Sequence, residues 1–225
     1  MRQWRNGVIC TKALAYSYKG GPTLCFADIE APQGAVLLLR GDSGTGKSTW
    51  LALVAGLLTP ASGNITVAGQ DLNAIGKVKS DAWRARTIGF LPQKLHLSAA
   101  LTVYGNLAMA QWAAGKGENP AQITSALAAL DVQTLASRKP HQLSGGQAQR
   151  VALARAVLLK HKVILADEPT ASLDDQAAAA SLNLLRDTAA REGATLVIAT
   201  HDSRVESHFY DQIGLMRLSL GRSKL

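Results

Sequence analysis

The chain is short of cysteine, with two in 225 residues, and Cys10 and Cys25 stand outside any CxxC or Cys/His spacing. That excludes a metal knuckle and a disulfide framework, and the two thiols fit a reducing, cytosolic setting. Long hydrophobic runs are missing too. None approaches the ~18–20 residues that cross a bilayer, and the charged start from Met1 to Gly7 is followed by no apolar signal-peptide segment. The expectation is a chain that neither spans a membrane nor carries a cleaved leader. Internal repeats, low-complexity tracts and interdomain linkers are absent as well, which excludes solenoids and flexible arrays. With 47% apolar and 18% charged residues the composition is that of a globular protein, so one domain with room for an inserted lobe is expected.

Acid is scarcer than base. Lys and Arg number 24 against 16 Asp and Glu, a net charge of +8 that favours an anionic partner: nucleotide phosphate, nucleic acid or an anionic membrane leaflet. The basic residues are scattered. Only Lys77, Lys79, Arg84 and Arg86 gather loosely around Asp81, and they are expected to form a solvated helix face.

What is present is an alternation of short apolar β-rich stretches with longer Ala/Leu-rich ones. Val36 to Leu39, Ile65 to Val67, Val163 to Ala166 and Thr195 to Thr200 predict strands of a parallel sheet covered by helices. The rhythm breaks from Leu101 to Leu135, where Leu107, Ala110, Gln111 and Ala114, then Ile123, Leu127 and Leu130, recur at helical spacing around a GKGENP connector, Gly115 to Pro120. A helical lobe inserted between strands is expected there. The run Ala177 to Ala180 is simply a strong helix former.

The strand Val36 to Leu39 leads into Gly41, Asp42, Ser43, Gly44, Thr45, Gly46, Lys47, Ser48 and Thr49, followed by an apolar helix through Leu58. This is G-x-x-x-x-G-K-S in its strand–loop–helix setting. Its glycines let backbone N–H groups face phosphate oxygens, and the helix N-terminus adds partial positive charge. Lys47 is placed to reach the terminal phosphates, and Ser48 to ligate Mg²⁺. Downstream, Val163 to Ala166 ends in Asp167 and Glu168, as a buried strand delivers carboxylates to a sheet's C-terminal edge. Asp167 is expected to hold Mg²⁺, and Glu168 to polarise the water that attacks the γ-phosphate.

A third element is LSGGQ, Leu143 to Gln147, opening a helix in which Ser144 has the place of an N-cap. Gly145 and Gly146 inside the first turn each cost about 1 kcal/mol relative to Ala, so close approach by something is implied. A bare helix N-terminus is an anion site. Two such ends but one Lys-bearing loop suggest that the second end, Ser144, Gly145, Gly146 and Gln147, serves another chain's nucleotide.

With these segments in place the chain resembles an ATP-binding-cassette (ABC) nucleotide-binding subunit from about Val8 to Arg222. GDSGTGKS corresponds to its Walker A, Gln93 in FLPQK to its Q-loop, LSGGQ to its signature, VILADE to its Walker B, Ala171 to Asp174 to its D-loop and His201 in ATHD to its switch histidine. The resemblance implies an α/β P-loop NTPase, a RecA-like core with a mainly parallel sheet, an N-terminal antiparallel β subdomain and an inserted α-helical subdomain. It further implies a single domain over 1–225, with a core lobe of about 1–93 and 157–225 and a helical lobe of about 94–156. Tyr18, with Tyr16 as the alternative, would stack on adenine. Gln93 would contact Mg²⁺ or the lytic water, His201 the γ-phosphate, and Asp174 the opposite subunit of a head-to-tail pair.

The implied activity is Mg-dependent ATP hydrolysis, with ATP and Mg²⁺ as cofactors. The protein would sit peripherally on the cytoplasmic face of the inner membrane, bound to transmembrane permease subunits, as a homodimer in the simpler case. Within the family LADEPTASLD, LTVYGNLAMA and the short length resemble the lipoprotein-release and macrolide-exporter type, which implies extraction or efflux; the stretch after His201 is too short for a sugar-importer's regulatory domain. The alternative is a soluble ABC ATPase acting on nucleic acid or ribosomes. Against it stand the compact stretch between Ser48 and Leu143, without heptads or cysteines, and no nucleic acid is expected as partner. Arg40 and Trp50 depart from the family's usual residues, and Ser223-Lys224-Leu225 matches a peroxisomal address that is read as coincidence.

Overall fold

A computed structural model describes residues 7–42, 44–210 and 215–219. In chain order the main elements are β1 (Gly7–Ser17), β2 (Thr23–Cys25), β3 (Ile29–Pro32), β4 (Val36–Arg40), α1 (Lys47–Val54), β5 (Ser62–Val67), β6 (Gln70–Asp71), α2 (Lys77–Thr87) and β7 (Ile88–Leu91). There follow α3 (Val103–Ala113), α4 (Pro120–Ala128), α5 (Gly145–Val157), β8 (Val163–Asp167), α6 (Asp175–Glu192), β9 (Thr195–Ala199), α7 (Ser203–His208) and β10 (Leu215–Ser219).

Two sheets result. One has the order β10-β4-β9-β8-β7, parallel at every pairing. Its inner strands β4, β8 and β9 are apolar and buried along most of their length, as a sheet covered on both faces requires: Leu38, Ile164, Leu196 and Ile198 face one core, while Leu37, Leu39, Val163, Leu165 and Val197 face the other. The second sheet is antiparallel, β2-β1-β5-β6 with β3 also on β1. The α/β expectation holds, with one correction. Ile65 to Val67 lies in β5 of the antiparallel sheet, not in the parallel one, because its burial alternates along the strand and it pairs with β1. Short apolar runs do not distinguish the two settings.

The first core joins the parallel sheet to the helices. Leu107 of α3, Ile123 and Leu127 of α4 and Val151 and Leu153 of α5 pack in one cluster with Ile164 and Leu182. The helical stretch beginning at Leu101 is thus continuous with the sheet's core. Caps define its helices: Thr102 accepts from Gly105 N at the start of α3, and Asn119 from Gln122 N with Pro120 at the first turn of α4. The second core holds α1 between the two sheets, with Trp50, Leu51, Leu53 and Val54 buried. The helix after the phosphate loop ends at Val54, earlier than Leu58, and the chain turns there. Arg84 of α2 is not the solvated residue expected, for it donates to Ala55 O and Gly56 O and pairs with Asp81.

Candidate nucleotide site

β4, β8 and β9 end side by side, and each exits into a functional loop. From β4 the chain enters the glycine loop and then α1, whose N-terminus carries no side-chain cap. Its first N–H groups are therefore free for an anion. Gly46 has φ +99°, and a Cβ there would lie 3.1 Å from Phe26 Cε1 and 3.2 Å from Leu24 Cδ1, so glycine is required. Lys47 folds back over the loop, its Nζ donating to Gly41 O at 2.6 Å and Asp42 O at 3.2 Å. Thr45 Oγ1 donates to Asp42 O at 2.8 Å. Ser43 lies outside the described residues.

β8 delivers Asp167 and then Glu168, which takes φ +50°. That is the left-handed region, sparsely populated by side chains other than glycine. Its N–H still reaches Ala199 O at 2.8 Å, so the strand pairing with β9 extends through the strained residue. Glu168 Oε2 accepts from Thr200 Oγ1 at 3.0 Å, and Oε1 lies 2.7 Å from His201 Nδ1. Glu168 is buried whereas the His201 ring is largely exposed. Asp167 is buried beside it. Burial pushes its carboxyl up; a hydrogen bond from Ser48 and the charge of Lys47 oppose that shift, and Glu168 reinforces it.

These groups line one cavity of about 360 Å³. Tyr18, Gly44, Gly46, Lys47, Ser48, Thr49, Gln93, Asp167, Glu168 and His201 all border it, with Pro22 and Leu24 as an apolar wall. Tyr18, rather than Tyr16, faces the cavity; its hydroxyl meets Thr49 Oγ1 at 2.9 Å, and Tyr16 packs edge-on against it at 4.8 Å. Ser48 and Asp167 bring a hydroxyl and a carboxylate together. Among the described residues no three His, Cys, Asp or Glu side chains cluster as a self-sufficient cage. A donor set this small and hard fits Mg²⁺, which takes one or two carboxylates and fills its remaining positions from substrate phosphates and water.

The signature residues are elsewhere. Ser144 Oγ accepts from Gln147 N at 3.3 Å and Gln147 Oε1 accepts from Ser144 N at 2.9 Å, a reciprocal cap at the start of α5. Neither Ser144 nor Gln147, nor Asp174, borders the cavity. Asp174 instead caps α6, accepting from Ala177 N at 2.8 Å. A Cβ on Gly145 would find its nearest neighbour at 3.9 Å, and one on Gly146 at 3.4 Å. Ordinary contacts would therefore accommodate alanine within this chain.

A profile described as "ABC transporter" matches residues 27–171. The chain belongs to the ABC transporter family. It is 35% identical over 217 residues to the lipoprotein-releasing system ATP-binding protein LolD of Chromohalobacter salexigens, covering 94% of this chain and 90% of that one. The ATP-binding protein YtrE of Bacillus subtilis is 36% identical over 190 residues, 83% of this chain and 81% of that one. The methionine import protein MetN of Desulfitobacterium hafniense is 37% identical over 85% of this chain and 56% of its own length. Among solved structures, the dimeric cassette MJ0796 superposes with a TM-score of 0.85 at 28% identity, covering 96% of this chain and 97% of that one. Its post-hydrolysis dimer bound to ADP and Pi scores 0.85 as well. This cassette is an ATP-binding and ATP-hydrolysing subunit of a membrane transport system. Among the described residues no helix is long and apolar enough to cross a membrane.

Several contacts of the cassette leave little mark in the sequence. Thr200 is the second partner of Glu168, and its only signal was adjacency to His201. Gln149 Nε2 donates to Glu168 O and Pro169 O, each at 3.3 Å, from one turn along α5. Arg40 acquires a reason: its guanidinium pairs with Glu206 of α7 at 2.8 Å, tying the end of β4 to the helix that follows His201.

Proposed function

We propose that this ATPase works as two identical copies placed head to tail, powering a transporter that extracts or exports its cargo. The observation that carries the reading is a division of parts. One cavity collects Lys47, Ser48, Gln93, Asp167, Glu168 and His201, while the capped, exposed N-terminus of α5 stands apart, with glycines that this chain's own packing does not require. A second copy's Ser144, Gly145, Gly146 and Gln147 would close the phosphates of a nucleotide seated here, and Asp174 would lie at the same junction.

In this reading the adenine ring stacks on Tyr18 and the phosphates lie along the loop from Gly41 to Thr49. Lys47 leaves the carbonyls of Gly41 and Asp42 for the β- and γ-phosphates. Mg²⁺, held by Ser48, Asp167 and Gln93, would supply charge neutralisation on those phosphates. Glu168 accepts a proton from the attacking water as the new P–O bond forms and the bond from the γ-phosphorus to ADP breaks; His201 steadies the γ-phosphate and Glu168 together.

The domain division supports the coupling. The core lobe, about 1–93 and 157–225, and the helical lobe, about 94–156, border a cavity of about 490 Å³ lined by Ser48, Leu57, Phe90, Gln93, His96 and Arg155. Gln93 borders both this cavity and the nucleotide cavity, so a permease segment seated there would bear on the chemistry. Relatives named for lipoprotein release, 35% identical to this chain over most of its length, support extraction or export.

The test is to tag Glu168→Gln, trap it with Mg-ATP in detergent-solubilised membranes, and identify what co-purifies. A polytopic membrane protein in roughly equal amount, with a large extracytoplasmic domain, is the expected result. Recovery of ribosomes or nucleic acid instead would overturn the transport reading and leave the ATPase chemistry intact.

A further inference from the structure

We propose that Gln149 and Arg204 are positioning residues that clamp the turn from Glu168 to Leu173 on opposite sides, so that the signature helix and the His201 segment hold the Glu168 carboxylate as one unit. This rests on the two-copy reading above. The clamp is visible in the acceptors of the turn. Gln149, buried on α5, donates to Glu168 O and Pro169 O, each at 3.3 Å. Arg204 of α7 donates to Thr170 O at 3.5 Å through Nη2 and to Leu173 O at 3.3 Å through Nη1. Two side chains from two helices thus take four carbonyls of one turn.

The turn needs such support. Glu168 and Ser172 have φ of +50° and +62°, and non-glycine residues persist in that region only where their surroundings over-determine them. The turn's own backbone bonds, Ala171 N to Glu168 O at 3.1 Å and Leu173 N to Thr170 O at 3.2 Å, leave the orientation of the whole turn to outside contacts. On the α7 side the hold is an ion-pair network. Thr170 Oγ1 donates to Asp202 Oδ2 at 2.6 Å, and Arg204 pairs with Asp202 at 2.8 Å and with Asp175 Oδ1 at 2.8 Å. Asp202 directly follows His201, so the arginine that grips the turn also fixes the histidine's chain.

On the α5 side the lever is short. Ser144 caps the helix and Gln149 lies on the same rigid element, little more than one turn along. A shift of the α5 N-terminus against a second copy's nucleotide is therefore delivered to the Glu168 backbone. That gives each chain a physical link between the nucleotide it closes in trans and the carboxylate it uses on its own. The expected signature is a loss of turnover and of cooperativity between the two sites, with nucleotide affinity retained, since neither side chain borders the nucleotide cavity.

The experiment compares wild type, Gln149→Leu and Arg204→Met as full chains. Steady-state ATPase against ATP concentration gives kcat, KM and the Hill coefficient, equilibrium titration gives MgADP affinity, and thermal unfolding gives the folded fraction. For both variants kcat should fall about 10- to 100-fold, MgADP affinity should stay within about twofold, and the Hill coefficient should drop from above 1 towards about 1. Folded variants with unchanged kcat and Hill coefficient would overturn the clamp. So would a loss of kcat that only tracks the loss of folded protein. Should Gln149→Leu fail to fold, Arg204→Met carries the test from the more exposed side. A wild type that shows neither an ATP-dependent dimer nor a Hill coefficient above 1 sinks the two-copy reading itself, whatever the variants do.

Discussion

His201 Nδ1 lies 2.7 Å from Glu168 Oε1, while Thr200 Oγ1 donates to the other carboxylate oxygen at 3.0 Å. Both oxygens of the buried acid are thereby oriented by adjacent residues at the exit of β9. A carboxylate held in this way is aimed before substrate arrives, which is what a general base needs. Glu168→Gln should lower kcat by about 10²–10⁴-fold with MgATP still bound. His201→Ala should lower kcat less, because Thr200 remains. Phosphate-release assays beside nucleotide titration separate the two effects; a His201→Ala enzyme as slow as Glu168→Gln would show that the histidine does more than orient.

Lys47 Nζ rests on Gly41 O and Asp42 O, and its transfer to phosphate exchanges neutral acceptors for charged ones. Hydrogen bonds to charged groups contribute about 1.5–3 kcal/mol. Lys47→Ala should therefore weaken MgATP binding by about 10- to 150-fold, measured calorimetrically. Unchanged affinity would remove Lys47 from the phosphate site.

His161 is 6% exposed, and burial chiefly, helped by the charge of Lys116 and opposed by the carbonyls of Ala85 and Ala156, lowers its pKa to about 4 from 6.5. Between those values the unfolded chain takes up a proton that the folded chain refuses, so stability falls as pH drops through that window and levels off below it. The loss is about 3 kcal/mol at most. Thermal midpoints of wild type and His161→Gln, taken from pH 7 to 4, should converge or cross as pH falls. Parallel curves would place a charged histidine in the folded state.

Much of this was legible in the sequence because phosphate chemistry demands particular residues in particular order. The loop from Gly41 to Thr49, the Asp167-Glu168 pair and His201 each sit at the end of an apolar strand, and the parallel sheet brings three such ends together. Ile65 to Val67 misled for the complementary reason: a short apolar run says that a strand is buried and nothing about its partner. Gln149, Thr200 and Arg204 were invisible because their roles lie in side chain-to-backbone bonds across the fold. The departure at Arg40 likewise has its partner, Glu206, far along the chain.

Trp50 was the other departure, and it is fully buried in the core between the two sheets. Its Nε1 finds no acceptor among the described residues, so the ring stabilises by packing while its N–H costs desolvation. Trp50→Ala should cost about 3–5 kcal/mol. Trp50→Phe should cost well under half of that, because the orphaned donor goes with the lost volume. Denaturant midpoints decide, and equal losses for the two variants would mean that the indole N–H is bonded.

The most direct measurement is the molar mass in solution of Glu168→Gln, with and without Mg-ATP, beside the double variant Glu168→Gln, Ser144→Arg. If each nucleotide is closed by one copy's Lys47 loop and the other's Ser144, the single variant doubles its mass with Mg-ATP and the double variant stays a monomer. A single variant that binds ATP yet keeps its mass, or a double variant that dimerises as well, contradicts the shared site.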